Sequence, residues 1–361
     1  MRIAILDTLY TSFLRDHYAA RPGLADEPYE RQWSALMDRS FGTSDAYSHF
    51  LRVLGHEAHE LIVNADDLQR AWAREQRRAL WLSLRARRRD WRQAVVLCQL
   101  ERMRPDVVYV QDTAYFPPSL LTELKRRTAL LVGQLGTAAP ERERLTKFDL
   151  LLTSFPHFVP RLRELGVPTE LFRIGFDPRL VDRLGPVSET PIEVAFVGAL
   201  SGDQWKASGQ LLERVAVATP IELWGYGLDG LPADSPLRSR YRGEAWGIDM
   251  YRIYQRARVV LNRHGDVAET FANNMRLYEA TGVGALLLTE ARENLSELFE
   301  LGREVVAYED PDDAVDQIQR LLNDEAHRSE IAKAGQARTL RDHTYAVRMA
   351  ELAGILEARL R

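Results

Sequence analysis

Short apolar segments alternate with longer amphipathic segments in two successive blocks of this 361-residue chain. The apolar segments have the length of buried strands, whereas the longer segments repeat their apolar residues at helical spacing. Strands that alternate with helices form parallel sheets, because each crossover helix returns the chain to the same end of the sheet. The sequence therefore predicts an α/β protein of two Rossmann-like domains. The predicted strands are RIAILD, ELIVN, PDVVYV, TALLVGQL and FDLLLTS in the first block, and IEVAFVG, IELWG, RVVLN, GALLLT and EVVAY in the second.

The predicted boundary between the domains is the segment GPVSETP, residues 185–191, which contains two prolines and no apolar period. This composition is typical of a linker. The sequence thus predicts a first domain of residues 1–184 and a second of residues 191–340. A final helix, residues 341–361, can cross back to the first domain. The polar and aromatic stretch Thr8–Ser44 is predicted to be a long loop.

Composition excludes several classes of protein. Hydrophobic residues make up 45% and charged residues 28% of the chain, which is typical of a soluble globular protein. The formal net charge of -4 argues against general nucleic-acid binding, which needs a basic domain. The single cysteine, Cys98, excludes an intrachain disulfide, and its apolar neighbours predict a buried, inert thiol. The opening apolar run Ile3–Leu6 stops at Asp7, too early for a secretory or membrane segment, so a cytoplasmic location is expected.

The segment NMRLYEATGVGALLL, residues 274–288, is the best candidate for a ligand site. It places Arg276 and Glu279 on the opening turns of a short helix that leads into an apolar strand. In doubly wound sheets, ligands bind where strands end and helices begin. A carboxylate there can accept both hydroxyls of a ribose, and a guanidinium can hold a diphosphate. The segment therefore predicts a nucleotide-binding site.

An ordered set of motifs resembles a known family. The set runs from about Arg104 to Tyr345 and comprises PDVVYVQD, FDLLLTSFPHFVPRLRELGVPTELFRIGFDP, IEVAFVGALSGDQWKASGQLL, IELWGYG, MYRIYQRARVVLN, RLYEATGVGALLLTEARENLSELFELGREVVAY and IAKAGQARTLRDHTY. It resembles the GT-B nucleotide-sugar glycosyltransferases, and within them the CgeB-like group of bacterial enzymes. The resemblance implies two domains that face a cleft, with the donor bound on the second and the acceptor on the first. It also implies a hexosyltransferase-like enzyme that retains the anomeric configuration and needs no metal or other cofactor beyond its donor substrate.

Two basic residues are the candidates for holding the donor diphosphate. Gly198 ends a predicted strand and opens a loop whose backbone N–H groups can face a phosphate. In this loop Lys206 matches the position at which the family places a basic residue on the diphosphate. The alternative is an ordinary exposed lysine on a first helical turn. Lys206 and Arg276 are predicted to be catalytic, because fixed cations stabilise the charge that develops on a departing diphosphate.

Glu279 matches the second glutamate of the family's paired-glutamate motif, which holds the ribose. Its alternative role is that of a carboxylate favoured by the dipole at a helix start. The first glutamate of the motif departs from the family pattern, because its position is occupied by Phe271 and the nearest acid, Glu269, is two residues off register. Either Glu269 or His264 is then expected to contact the donor sugar.

Further candidates follow the ends of predicted strands. Asn262 ends the segment RVVLN and His264 follows two residues later; both are predicted to contact the donor, although His264 is equally compatible with a satisfied loop residue. Asn274 is also assigned to the donor site, and capping of the following helix is its alternative role. In the first domain, Asp7 and Asp112 follow two strands and are expected at one sheet edge. Asp112 is the stronger catalytic candidate because the family places a polar contact there, and Asp7 is assigned to the acceptor.

The predicted loop Thr8–Ser44 is long enough to be a recognition surface. Its aromatic residues suit stacking on sugar rings, though some must pack inside the domain. The residues assigned to the acceptor are Tyr10, Phe13 and Trp33.

The basic run Arg74–Arg92 mixes arginines with Trp81, Leu84 and Trp91 at helical spacing. Such a segment can lie on an anionic membrane near a lipid-linked acceptor, which would make the protein peripheral at the inner face of the membrane. It is also typical of a domain-surface helix or of a contact with another subunit.

The function predicted from the sequence is transfer of a sugar from a nucleotide-diphosphate donor to a glycan, a lipid-linked acceptor or a protein. No metal-ligand spacing of His, Cys or acidic residues occurs in the sequence. Two alternatives remain open. One is a nucleotide-sugar 2-epimerase of the same fold, and the other is a non-enzymatic sugar-binding or assembly protein, which the missing first glutamate supports.

Overall fold

The computed structural model describes residues 1–76, 90–187, 189–202 and 209–361. The chain forms two compact units, which we call the first unit (residues 1–173 with 349–361) and the second unit (residues 174–348). The chain thus leaves the first unit at Arg173, earlier than the predicted linker 185–191, which lies inside the second unit. The last helix begins at Tyr345, and its residues from Met349 onward belong to the first unit.

The first unit contains a six-stranded parallel sheet in the order β2-β1-β3-β4-β5-β6. The five strands predicted from the sequence are confirmed. The sixth, at the edge, has three residues and is too short to show a pattern. The strands are β1 (Arg2–Asp7), β2 (Glu57–Ile62), β3 (Val107–Val110), β4 (Leu130–Leu135), β5 (Leu150–Thr153) and β6 (Thr169–Leu171).

The second unit contains a five-stranded parallel sheet in the order β11-β10-β9-β7-β8. All five strands match the predicted apolar segments, and the predicted fold class is confirmed. The strands are β7 (Ile192–Val197), β8 (Ile221–Trp224), β9 (Ala257–Leu261), β10 (Leu286–Glu290) and β11 (Val306–Tyr308). Because every strand runs in the same direction, the carboxyl ends of β7, β9 and β10 lie at one edge.

Helices connect the strands of both sheets. Those of the first unit are α1 (Thr11–Ala19), α2 (Tyr29–Met37), α3 (Ala46–Val53), α4 (Asp66–Glu75), α5 (Trp91–Met103), α6 (Pro118–Lys125), α7 (Arg142–Leu145) and α8 (Phe158–Glu164). Those of the second unit are α9 (Arg179–Leu184), α10 (Gly209–Ala218), α11 (Leu237–Arg240), α12 (Ile248–Arg256), α13 (Arg276–Gly282), α14 (Leu295–Leu298), α15 (Pro311–Asn323) and α16 (Glu325–Asp342). The helix α17 (Tyr345–Leu360) contributes to both units.

Helices occupy much of the stretch Thr8–Ser44, so the prediction of a long loop is wrong. It contains α1 and α2, joined by a short 3-10 turn at Leu24–Asp26. Each helix buries a narrow set of side chains that includes polar ones, namely His17 on α1 and Gln32 on α2. Buried polar residues weaken the apolar period from which a helix is recognised in a sequence.

Within residues 66–103 the structure describes two helices, α4 and α5. Most of the basic run Arg74–Arg92 lies outside the described residues, including Trp81, Leu84 and all of residues 77–89. Cys98 on α5 is fully buried, as predicted. In the described part of the chain, no helix is long and apolar enough to cross a bilayer.

Two segments at the ends of the second unit lie side by side. Phe176 pairs with Thr344 in a parallel bridge, and the Arg348 Nε–H donates to the carbonyl of Ile174 over 3.1 Å. A Cβ added at Gly175 would lie 3.0 Å from the backbone carbon of Thr344, so the two segments touch through their backbones. The points at which the chain enters and leaves the second unit are therefore joined.

Glu60 on β2 is a carboxyl group buried inside the first unit. Its side chain is 1% exposed, and its Oε1 accepts the Ser48 N–H over 2.7 Å. Its Oε2 has no hydrogen-bond partner among the described residues. Burial raises the pKa of Glu60 from 4.5 to about 7, although the bonds from Ser48 oppose the shift.

Replacement of Glu60 by Gln should make the stability of the protein less sensitive to a rise of pH from about 4.5 to about 7. Because the raised pKa favours the protonated acid in the folded state, the wild type loses stability as pH rises from about 4.5 through about 7. A shift of this size corresponds to roughly 3 kcal/mol, which Glu60→Gln should regain between pH 4 and pH 9 relative to wild type. Urea unfolding across this pH range measures the difference.

Glu57→Gln on the same strand is the control, because Glu57 is exposed. A stability difference between Glu60→Gln and wild type that stays constant with pH would contradict the assignment.

Candidate functional site

The carboxyl ends of β7 and β8 approach each other through two glycines. The Gly198 N–H donates to the carbonyl of Trp224 over 2.9 Å. Gly225 has a φ of +131°, and a Cβ added there would lie 1.9 Å from the carbonyl oxygen of Gly198. Only glycine allows this approach. The loop that opens at Gly198 is therefore anchored at its first residue by the neighbouring strand.

Arg276, the first residue of α13, lies at the end of β7. Its Nε–H donates to the carbonyl of Val197 over 2.7 Å, and its side chain is half-buried. Its Nη2 would lie 3.7 Å from a Cβ added at Gly198, so the glycine leaves space beside the guanidinium. The structure thus brings together two predicted site residues, Gly198 and Arg276, at one strand end.

A second arginine at this edge, Arg263, was missed in the sequence. Its side chain is 2% exposed, and its Nη2 donates to the carbonyl of Ala199 over 2.6 Å. Its guanidinium also lies 5.4 Å from the centre of the Phe196 ring. Burial, with a smaller contribution from the nearby charge of Arg276, lowers the pKa of Arg263 to about 10. In the sequence Arg263 lies between two polar residues after a strand, as many surface arginines do. Its place at the carboxyl end of that strand was the only signal that it belongs to the site.

Glu279 lies on α13 one turn after Arg276 and is 4% exposed. Its Oε1 accepts the hydroxyl of Tyr251 over 3.3 Å, whereas its Oε2 has no hydrogen-bond partner among the described residues. Burial raises the pKa of Glu279, and the charge of Arg276 opposes this shift. A buried carboxylate oxygen without a donor is costly unless a ligand supplies one. Glu279 therefore has an open position for a hydroxyl group.

The side chains of Asn262 and Asn274 bond within the protein. The Asn274 Nδ2 donates to the Asn262 Oδ1 over 2.8 Å and to the Arg263 carbonyl over 2.9 Å. Its Oδ1 accepts the Leu277 N–H over 3.3 Å, the capping role that the sequence offered as the alternative. The Asn262 Nδ2 donates to Thr289 Oγ1 over 2.9 Å. Both amides hold the loop between β9 and α13 in place.

His264 is buried and neutral. It is 1% exposed, and its Nδ1 accepts the Asn273 N–H over 3.3 Å, which leaves the proton on Nε2, 3.2 Å from Thr289 Oγ1. Burial lowers the pKa of His264 to about 3, and the charge of Arg292 acts in the same direction. Both ring nitrogens thus bond inside the unit, which favours the loop-residue interpretation. Glu269, the other candidate for the donor sugar, is exposed with a φ of +51°.

Lys206 lies outside the described residues, as do all of residues 203–208 in the loop after Gly198. Its predicted contact with the diphosphate stays a prediction.

In the first unit the structure brings Asp7 and Asp112 together around Thr8. The Thr8 N–H donates to Asp7 Oδ1 over 2.8 Å, and the Thr8 hydroxyl donates to Asp112 Oδ2 over 2.8 Å. Their strands are neighbours, since Leu6 on β1 pairs with Val110 on β3. Burial raises the pKa of Asp7 to about 7, and the charge of Asp112 adds to the shift. Asp7 can therefore hold or release a proton near neutral pH.

The three aromatic residues assigned to the acceptor lie in different environments. Phe13 is 1% exposed and stacks on Phe41 at 4.4 Å, so it is a core residue and not part of a binding surface. The Trp33 Nε1–H donates to the carbonyl of Glu60 over 3.1 Å. Tyr10 is 53% exposed, with its ring edge-on to Phe41 at 5.5 Å. Because Phe13 is buried, its assignment to the acceptor is wrong.

Within the described ranges, no three or more His, Cys, Asp or Glu side chains lie close enough together to hold a metal ion.

Comparison with known proteins finds a family model that matches part of the chain and solved structures that share the fold of both units. Residues 204–354 match a family model described as "Glycosyl transferase-like". Among solved structures, a glycosyltransferase from Rickettsia africae is 10% identical and covers 100% of this chain and 98% of its own, with a TM-score of 0.63. Anabaena HepE in complex with UDP-glucose is 15% identical and covers 99% and 100%, with a TM-score of 0.64. Sucrose-phosphate synthase from Thermosynechococcus elongatus is 13% identical and covers 99% of each chain, with a TM-score of 0.59.

At these identities the solved structures show the fold, which is the two-domain GT-B fold predicted from the sequence. A search of curated proteins found no match.

Replacement of Gly225 by Ala should destabilise the second unit strongly. Gly243→Ala is the matched control, because Gly243 also has a positive φ, +116°, but has no atom within 4 Å of an added Cβ. Both variants incur backbone strain of about 1 to 3 kcal/mol, whereas only Gly225→Ala must also separate β7 from β8. The melting temperature should fall further for Gly225→Ala. Equal losses in the two variants would show that the contact with Gly198 is unimportant.

Proposed function

We propose that this protein transfers a sugar from a nucleotide-diphosphate donor to an acceptor. The observation that carries the proposal is the buried Glu279, one turn from Arg276 at the end of β7, whose Oε2 has no hydrogen-bond partner in the described part of the chain. A ribose hydroxyl can donate to the Oε2 of Glu279, and the oxygens of a diphosphate can accept hydrogen bonds from the Arg276 guanidinium. The UDP-glucose bound to HepE, which shares the fold, supports a nucleotide sugar as the donor.

Catalysis in this proposal comes from fixed positive charge. Arg276 and Lys206 stabilise the negative charge that develops on the departing diphosphate, together with the backbone N–H groups after Gly198. Arg263 is a positioning residue, because its buried guanidinium holds the Ala199 carbonyl in the same loop. No divalent ion is needed, and the anomeric configuration is retained.

Asp7 and Asp112 serve the acceptor in this proposal. Their carboxylates share Thr8 and can accept hydrogen bonds from acceptor hydroxyls. Asp112, whose Oδ1 accepts the Ala114 N–H over 3.0 Å, is held in one orientation. Membership of the CgeB-like group, a hexose as the transferred sugar and a cytoplasmic location belong to the same proposal.

A 2-epimerase is not favoured. Epimerisation of a nucleotide sugar needs an acid and a base around one sugar ring, but the imidazole at this edge, His264, is buried, neutral and bonded at both nitrogens. A non-enzymatic binding protein is also not favoured, because residues 204–354 match a glycosyltransferase-like model despite Phe271 in place of the first glutamate.

Glu279→Ala should weaken nucleotide binding and leave the fold intact. A hydrogen bond to a charged group contributes about 1.5 to 3 kcal/mol, so the dissociation constant should rise about 10- to 100-fold. A thermal-shift screen of UDP, GDP, dTDP, ADP and CMP identifies the nucleotide, and calorimetry measures its affinity. Glu293→Ala, at an exposed position in the same unit, is the control. Unchanged affinity in folded Glu279→Ala would remove this residue from the site.

Turnover should persist in excess EDTA, since Arg276 and Lys206 supply the positive charge that a divalent ion supplies in metal-dependent transferases. Initial rates of donor hydrolysis or transfer, measured with and without chelator, test this. Arg276→Ala should lower kcat, while Arg252→Ala, an exposed arginine of α12, should not. A rate that chelation abolishes and magnesium or manganese restores would exclude the proposed mechanism.

A further inference from the structure

Helix α12 packs against α13, the helix that carries Arg276 and Glu279. Two tyrosines of α12, Tyr251 and Tyr254, are three residues apart and therefore lie on the same face of the helix. Both are buried, with 3% and 0% of their surface exposed. The Tyr254 hydroxyl lies beside Arg276, 3.5 Å from the Val197 carbonyl that Arg276 also contacts. The Tyr251 hydroxyl lies beside Glu279.

The hydroxyl of Tyr251 is a donor to the carboxylate of Glu279. It donates to Glu279 Oε1 over 3.3 Å and makes no other hydrogen bond in the described part of the chain. Burial, with a smaller contribution from the charge of Glu279, raises the pKa of Tyr251 well above its ordinary value. The phenol therefore keeps its proton at neutral pH. Its ring is edge-on to Phe176, with 6.3 Å between the ring centres, so packing holds the hydroxyl in place.

This bond determines which oxygen of Glu279 is engaged inside the unit. Tyr251 occupies Oε1, whereas Oε2 has no donor among the described residues. A glutamate side chain has three rotatable bonds, and without the bond its carboxylate can adopt other rotamers. A ligand must then immobilise the carboxylate itself, which lowers the affinity.

The same bond favours the charged form of Glu279. Burial raises the pKa of Glu279, whereas the charge of Arg276 and the hydrogen bond from Tyr251 oppose this shift. Loss of the Tyr251 hydroxyl should therefore leave more of Glu279 protonated at a given pH. The other titratable groups that face this pair are Tyr254 on α12, Asp177 before α9 and Tyr345 at the start of α17.

We propose that Tyr251 is a positioning residue of the donor site, whose hydroxyl holds the Glu279 carboxylate in the orientation that receives a ligand hydroxyl at Oε2. The inference rests on the proposed function, because Tyr251 acts only through Glu279. It makes α12, which carries none of the site residues predicted from the sequence, part of the donor site.

Tyr251→Phe in the full chain removes the hydroxyl and keeps the ring. The probes are UDP-glucose, GDP-glucose, ADP-glucose and dTDP-glucose, and calorimetry measures their binding. The probe that the wild type binds best should bind Tyr251→Phe about three- to tenfold more weakly. Tyr109→Phe is the matched control and should bind as the wild type does, because Tyr109 is also buried but donates to Gln134 Oε1 in the first unit. Unchanged affinity in Tyr251→Phe would overturn the proposal.

A double-mutant cycle distinguishes a role through Glu279 from a general effect on the fold. In the Glu279→Ala background, Tyr251→Phe should change the affinity less than about twofold, because the group that it positions is gone. If Tyr251→Phe weakens binding by the same factor in both backgrounds, Tyr251 does not act through Glu279 and the proposal is wrong.

The pH dependence of binding is a second readout that a merely structural role would not change. A nucleotide sugar suits this measurement, because its diphosphate is esterified at both ends and lacks the proton that a terminal phosphate loses at about pH 6. Affinity should fall on acidification as Glu279 takes up a proton, and the fall should begin at a higher pH in Tyr251→Phe than in the wild type. A loss of affinity by the same factor at every pH would contradict the proposal.

The wild type and Glu279→Ala separate this inference from the proposed function. A wild type that binds none of the four nucleotide sugars would contradict the proposed function and this inference with it. Tight binding by the wild type that is weakened in Glu279→Ala but not in Tyr251→Phe would contradict this inference alone.

Discussion

The end of β7 is held by two arginines that come from different elements. Arg276 bonds the carbonyl of Val197 from the start of α13, and Arg263 bonds the carbonyl of Ala199 from the end of β9. Between these two carbonyls lies Gly198, fixed from the other side by β8. Residues 197–199 are thus held by three neighbouring elements, and the same bonds bring two positive charges to this strand end. The two arginine–carbonyl hydrogen bonds therefore set both the backbone position and the positive charge at this strand end.

Burial has opposite consequences for the polar groups at this edge. His264 and Asn262 satisfy their polar atoms inside the unit, so burial makes them structural. Glu279 is equally buried, but its Oε2 has no donor among the residues that the structure describes, and burial raises its pKa and so disfavours its charged form. A ligand that donates to this oxygen removes part of that cost. The folded protein is therefore less stable because of Glu279, the residue best suited to bind a ligand. Such a loss of stability is common at functional sites.

Much of the fold could be predicted because its strands are short, continuous apolar runs, and such runs need no knowledge of distant residues. The edge strand Thr169–Leu171 was missed because it is too short to show a pattern. The helices within Thr8–Ser44 were missed because they bury polar side chains. The site was predicted in part. Gly198, Arg276 and Glu279 could be identified because their sequence positions place them near a strand end. The role of Arg263 could not, because it arises from a hydrogen bond to the carbonyl of Ala199, in the loop after a different strand.

The adjoining ends of the second unit have a consequence for how such a protein can be assembled. The second unit is one uninterrupted stretch, residues 174–348, inserted into the first, and Ile174 and Arg348 are hydrogen-bonded to each other. An insert with neighbouring ends can be exchanged without displacing the chain of its host, which is why domain insertion is tolerated at such points. Recombination at two adjacent positions in space would therefore pair this sheet with a different host. The two units can therefore evolve as separate modules, because the second unit can be exchanged as one piece.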